Sequence, residues 1–179
     1  TKSVLVTDEV IQQIDDLQEL APVHNHPHAL ALWACKKVIP ETVPQVVVFD
    51  TSFHTTMPPE AYMFAVPYEY YERLKVRRYG AHGTSHRFVA GEAARYLGVN
   101  PENGFKVITC HLGSGASIAA IKNGQSVDTT MGFTPLEGLV MGTRCGDLDP
   151  GVLLYIAEKE NMTPEQLNTM LNKKSGLVG

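Results

Sequence analysis

The segment TCHLGSGAS, residues 109–117, restricts the fold more than any other stretch, together with the two runs after it. An apolar run, FKVITCH at 105–111, enters a glycine loop. Glycine loops that bind phosphate commonly open onto a helix, whose N-terminal amides face the anion. Here the loop opens instead onto ASIAAIK (116–122) and QSVDTT (125–130), joined by Asn123-Gly124. Asn-Gly between two β-type runs is a strong hairpin signal, because both residues accept positive φ. The pattern therefore predicts a three-stranded β-meander with a glycine loop at its first turn. Such a loop can turn backbone N–H groups onto an anion. It can equally be an ordinary tight hairpin, and spacing alone leaves both readings open.

Around this meander the chain reads as α/β. Asp8–Leu20 places Val10, Ile11, Ile14 and Leu17 on one helical face, and Pro22 ends it. A second helix carries Pro27 near its start and Pro40 just beyond its end. VVVFD (46–50) reads as a buried strand with Asp50 at its C-terminal end. A short helical turn and a helix near 68–75 come next. In GTSHRFVAGEAARYLG, Thr84 or Ser85 is the expected N-cap, Gly98 the stop, and Ala90, Ala93, Ala94 and Leu97 the buried face. DPGVLLYIAEKE reads as helical, and TPEQLNTMLNKK as a helix with a Thr163/Gln166 capping box, stopped by Gly176.

The net charge of −4 gives no basis for nucleic-acid binding, which needs a clustered basic face. The doublets Lys36-Lys37, Arg77-Arg78 and Lys173-Lys174 read as solvated surface. No apolar run approaches membrane-spanning length, and three cysteines without a C-x-x-C pair fit a reducing cytosol. The first 50 residues offer two helices and one strand, too few to close a core, and SGLVG comes after a helix with no closing element. These points lead to the expectation that the chain is truncated at both ends.

Several residues are candidates for chemistry. Asp50 could hold Mg²⁺ or orient a nucleophile, or merely cap the next turn. In RYGAHGTSH, His82 lies in a glycine loop at a helix start and can donate to a charged oxygen, whereas His86 falls inside the helix as a structural residue. Arg144 in MGTRCGDLDPG can grip phosphate or carboxylate bidentately, or pair with Asp147 or Asp149. A calcium loop over 147–158 is rejected, because Val152 stands where the sharp turn needs glycine. In HNHPH, Pro27 and the helical pattern oppose a metal site built from His24, His26 and His28.

The motifs APVHN, VVVFDTSFHTTMP, RYGAHGTSH, ITCHLGSGASIAAIKNG, VDTTMGFTPLEGLVMGTRCGDLDPG and KKSGLVG, in this order, closely resemble the acetate and propionate kinase family. The resemblance implies the actin, hexokinase and Hsp70-type (ribonuclease H-like) α/β fold, present here incompletely. It implies that residues 1–50 are the tail of a first αβ domain and 51–179 the first part of a second. The implied reaction is reversible, Mg²⁺-dependent phosphoryl transfer between ATP and acetate, giving acetyl phosphate and ADP. By the same resemblance Asp50, His82 and Arg144 are catalytic, with Asp50 also at the metal, and His24 supports them. His111, Gly113, Ser114 and Gly115 face the nucleotide phosphates. Val23, Ala81 and Pro135 line a methyl pocket. A cytoplasmic homodimer is implied, with no nucleic-acid or membrane partner. The family often has Asn where Ser114 stands, so an amide's reach is replaced by a hydroxyl. The family's N-x-G-S-S-S-x-K phosphate loop, a second substrate arginine, the adenosine-binding segment and a magnesium-linked glutamate are absent from the sequence, so the fragment is expected to be inactive alone. The alternatives are a propionate kinase and a non-catalytic nucleotide-binding or dimerisation domain. A degenerate binder would be expected to lack at least one of Asp50, His82 and Arg144, and all three are present.

Overall fold

A computed structural model describes residues 3–17 and 25–179. The chain divides into two units, Thr1–Phe49 and Asp50–Gly179.

In the first unit, strand β1 (Val4–Leu5) pairs antiparallel with β2 (Val46–Val47). Between them run helices α1 (Asp8–Asp16) and α2 (Asn25–Val38). Thr7 caps α1, its hydroxyl accepting the Val10 amide, which satisfies one of the open donors of the first turn. Ile11, Ile14 and Ala29 form the core, with Val47, Phe49, Leu32 and Trp33 packed on it. Leu17, expected on the buried face of α1, is half exposed and serves as the helix's C-cap residue. The run at 46–50 differs from the buried strand expected. Only two residues pair, the pairing is antiparallel, and Val46 and Val48 face outward while Val47 and Phe49 face the helices. The cause is the alternation of a strand, which covers only one face here.

The second unit is built on the meander. Strands β3 (Lys106–Leu112), β4 (Ala116–Lys122) and β5 (Gln125–Thr129) form an antiparallel sheet in sequential order. Asn123 and Gly124 turn the second hairpin at φ 52° and 75°, the left-handed pair that its tight register demands. Helix α5 (Gly83–Leu97) packs on one face of β3 and β4. Its buried residues are Gly83, His86, Ala90 and Ala94, so His86 takes a core position while Leu97 is exposed. Gly98 ends α5 in the left-handed conformation, as expected. Its start differs: His82 is the N-cap residue, with φ 57°, and Thr84 and Ser85 lie in the first turn.

Helices α3 (Pro59–Tyr62) and α4 (Tyr68–Leu74) precede α5 in the chain, while α6 (Pro150–Lys159) and α7 (Pro164–Lys173) come after the sheet. Asp149 caps α6 through the Gly151 amide, and the Thr163/Gln166 box caps α7. Helix α7 ends before Gly176, so that glycine does not act as the stop. It has φ 74°, and a β-carbon there would lie 2.7 Å from the Arg144 carbonyl oxygen. Ser175 and Leu177 donate to the carbonyls of Thr143 and Met141. The last residues thus brace the loop that carries Arg144.

Arg78 and Arg77 are not solvated surface. Arg78 Nη1 donates to the carbonyls of Thr129 (2.9 Å) and Thr130 (3.0 Å), and its Nη2 to Glu137 Oε1 (2.8 Å). Arg77 stacks on the Tyr62 ring at 3.7 Å. The doublet's density of charge conceals a clamp that holds the strand exit of β5 to the next loop. Arg78→Met keeps the aliphatic stem but removes these donors. It should cost about 2–4 kcal/mol, read as a fall in the urea midpoint with an unchanged slope.

Candidate functional site

The site begins at Asp50. Its Oδ2 accepts the His82 amide at 2.7 Å, and its carbonyl oxygen accepts the Gly83 amide at 2.8 Å. A carboxylate is thereby held at the N-terminal end of α5, where the helix's partial positive charge favours it. Gly83 is required for this approach, because a β-carbon would stand 2.3 Å from the Asp50 carbonyl oxygen. Among the described residues Asp50 Oδ1 takes no hydrogen bond.

The left-handed backbone of His82 is fixed from two directions. Its amide is held by Asp50, and the preceding carbonyl, that of Ala81, accepts His54 Nε2 at 2.9 Å. A carbonyl can only accept, so His54 carries its proton on Nε2. Its Nδ1 then accepts from the Ser126 hydroxyl at 2.8 Å. Gly80 lies against the His54 ring and Thr129 at φ 73°, where a β-carbon would meet both within 2.7 Å. His54, buried in the TSFH turn, is not singled out by its sequence context. The signal available is a histidine one turn beyond Asp50, without the partner that explains it.

Three further histidines gather under and beside the glycine loop. His82 Nδ1 lies 2.9 Å from Ser117 Oγ, and His86 Nε2 lies 2.8 Å from the same oxygen. His86 Nδ1 meets Thr109 Oγ1 at 2.7 Å. His111 Nδ1 meets Ser85 Oγ at 2.8 Å, and its ring stacks on His82 with centroids 4.0 Å apart. Strand register explains the grouping. His111 pairs with Ser117, so both face the helix along with Thr109, two residues back. Burial pushes the His86 imidazole down to about 4, reinforced by His54, His82 and His111. His54 is also lowered, chiefly by burial, and His82 by burial and then by His111.

The glycine loop itself, Gly113-Ser114-Gly115, turns without the left-handed glycines a nest uses. Neither glycine has positive φ, and the Gly113 amide donates to the Gly115 carbonyl at 2.9 Å. Gly115 serves a close approach instead: a β-carbon there would lie 3.2 Å from Arg144 Nη1 and 3.5 Å from His82 Nε2. Arg144 Nη1 and His82 Nε2 therefore both approach one point beside the loop. Ser114 sits at the exposed tip, its carbonyl accepting the Gly142 amide. Arg144 Nη1 donates to the Pro135 carbonyl at 3.1 Å, and among the described residues Arg144 makes no ion pair. Asp147 and Asp149 are engaged elsewhere, with the amides of Gly138 and Gly151. Ala81 belongs to a buried apolar cluster with Ala116, Met131 and Met141. Val23 and His24 lie outside the described residues.

A carboxylate, a histidine and an arginine without an ion pair among the described residues stand together beside the first turn of a meander in an α/β unit, an arrangement suited to an anionic group. The chain belongs to the Acetokinase family, whose model matches residues 1–179. It is 56% identical over 177 residues to the acetate kinase of Desulfitobacterium hafniense, covering 99% of this chain and 44% of that protein. It is 58% identical to the acetate kinase of Thermosipho africanus, again over 99% of this chain and 43% of that protein. Among solved structures, acetate kinase from Porphyromonas gingivalis superposes with a TM-score of 0.93 at 47% identity, covering 99% of this chain and 44% of that one. A propionate kinase from Francisella tularensis gives 0.92 at 46%, covering 99% and 45%. The fold class is thus the actin-like α/β fold that the motifs implied, and the chain spans about 44% of the length of the curated relatives it matches.

The low affinity of His86 for protons has a thermodynamic consequence. An unfolded imidazole takes up a proton near 6.5, whereas the native one refuses it until about 4. Between these values the unfolded chain binds more protons, so stability is full above 6.5 and is lost as the pH falls towards 4. His54, also lowered, adds in the same direction. Urea midpoints measured across this window should fall with falling pH. His86→Gln, whatever its absolute stability, should show a shallower dependence.

Proposed function

We propose that this chain supplies the catalytic core of an acetate kinase, transferring a phosphoryl group reversibly between ATP and acetate. The observation that carries this reading is the convergence of Arg144 Nη1 and His82 Nε2 on the Gly115 edge of the loop, beside an Asp50 locked to the His82 amide. Phosphoryl transfer asks for little covalent chemistry from the protein and much charge stabilisation, placed in advance around the equatorial oxygens. On this reading Arg144 and His82 donate to those oxygens, and the stacked His111 and the Gly113-Ser114-Gly115 turn face the nucleotide phosphates. Ala81 and Pro135, with Val23, border the acetate methyl group, and His24 supports the reacting end. Residues 1–50 then belong to a first αβ domain and 51–179 to a second.

Magnesium fits the donor set. Asp50 is exposed and keeps Oδ1 without a partner among the described residues. A hard ion held by one carboxylate, water and substrate phosphates has this requirement. When bound, Mg²⁺ would neutralise phosphate charge at Asp50. The assembly we propose is a cytoplasmic homodimer. Among the described residues no helix is long and apolar enough to cross a membrane.

A propionate kinase is the second reading, favoured by the high structural similarity to such an enzyme. A single methylene separates the substrates, and a pocket discriminates it by roughly 10–200-fold. The test is acetyl phosphate formation by the chain alone and by the chain extended to its relatives' full length. The extended protein should be active, the short chain inactive, and the ratio of kcat/KM for acetate over propionate above one. Arg144→Ala should lower kcat by roughly 10²–10³-fold, and Arg144→Lys should not restore it. An extended protein inactive on both acids would overturn the assignment, and full activity in the short chain would remove the need for the other segments.

A further inference from the structure

The hydroxyl of Ser117 has one proton and two histidines. Its Oγ lies within hydrogen-bond distance of His82 Nδ1 and of His86 Nε2, and the residue is fully buried. Only one ring nitrogen can receive that proton, so the other must donate. Were both to donate, the hydroxyl proton would have no acceptor among the described residues, at the cost of an unmade buried hydrogen bond. The orientation of the pair is thus decided at the far end of the chain of contacts.

That end is Thr109. Its Oγ1 meets His86 Nδ1 at 2.7 Å, it is buried, and it has no second hydrogen-bond partner among the described residues. A hydroxyl in this position satisfies its proton only by donating it to Nδ1. His86 then carries its own proton on Nε2 and donates to Ser117, and Ser117 donates onward to His82 Nδ1. Burial keeps His86 neutral, at about 4, which the scheme requires.

We infer that Thr109, His86 and Ser117 form a one-directional hydrogen-bond relay that makes His82 Nδ1 an acceptor and so turns its Nε2–H out as the donor beside Arg144 Nη1. Thr109, His86 and Ser117 are positioning residues, because none of them reaches the Gly115 edge where the two donors meet. The relay rests on the proposed reaction only for its use: an imidazole whose Nε2–H is aimed at the Gly115 edge can hydrogen-bond a phosphoryl oxygen there.

The ring nitrogens of ¹⁵N-histidine-labelled chain, correlated with their carbon-bound protons, report the tautomer without any substrate. His82 and His86 should both show a protonated, pyrrole-type Nε2 and a bare, pyridine-type Nδ1. A protonated Nδ1 on His82 overturns the relay. Ser117→Ala should leave His82 as a mixture of both tautomers, and Thr109→Ser, which keeps the hydroxyl, should leave the native pattern. An unchanged His82 spectrum in Ser117→Ala overturns the assignment of Ser117. In the chain extended to its relatives' length, Ser117→Ala should lower kcat roughly tenfold with little change in KM for acetate. Absence of acetate-dependent activity in the unsubstituted extended protein would count against the proposed function alone, since the ring spectra do not depend on it.

Discussion

Helix α5 sits on the meander through polar groups rather than through a plain apolar seam. His86 lies on the buried face of the helix, where a leucine would satisfy packing alone, and two hydroxyls on the sheet meet both of its nitrogens. Burying an imidazole is costly unless each nitrogen finds a partner. Thr109 and Ser117 supply those partners from adjacent strands, so the helix can dock in only one axial position. Everything at the site depends on that position. The start of α5 places His82 over the glycine loop and brings the Gly83 amide to the Asp50 carbonyl.

Close approach, more than loop flexibility, explains the glycines. Gly83 admits the Asp50 backbone, Gly80 admits the His54 ring, Gly115 admits Arg144 and His82, and Gly176 admits the backbone of the arginine loop. At Gly80, Gly83 and Gly176 a methyl group would push apart two parts of the site that come from distant stretches of sequence, whereas at Gly115 only the end of the Arg144 side chain would have to give. Only Gly80 and Gly176 of these four also use positive φ. A glycine pattern read for its turn geometry therefore identifies the right residues for a partly different reason.

The same distinction separates what is legible in the sequence from what is not. The meander is legible because strand alternation and Asn123-Gly124 are local signals, and the resulting sheet has the sequential order expected. The capping box of α7 and the stop at Gly98 are legible on the same ground. Asp50, His82 and Arg144 can be singled out by residue type and glycine context, but their mutual geometry cannot. It depends on pairings such as Asp50 with the His82 amide, across intervening segments that carry no mark of the contact. His54 and Arg78 escape for this reason. Each is explained wholly by partners far along the chain: Ser126 and Ala81 for one, Thr129, Thr130 and Glu137 for the other. The strand at 46–50 fails in the opposite direction, since a continuous apolar run does not say how many of its faces this chain covers.

The electrostatics of the site arise from the same buried contacts. Arg144 brings a permanent charge to the Gly115 edge without an acid of the described residues to cancel it. His82 stands at that edge with its ring stacked on His111 and its proton affinity lowered by burial. On the relay proposed above, an imidazole whose direction is set by hydroxyls keeps an N–H at that edge. Asp50, turned towards the His82 amide, then contributes orientation as well as charge. It holds the backbone of His82, so that carboxylate and imidazole are positioned by one connected set of contacts, while the guanidinium is held beside them on the Pro135 carbonyl.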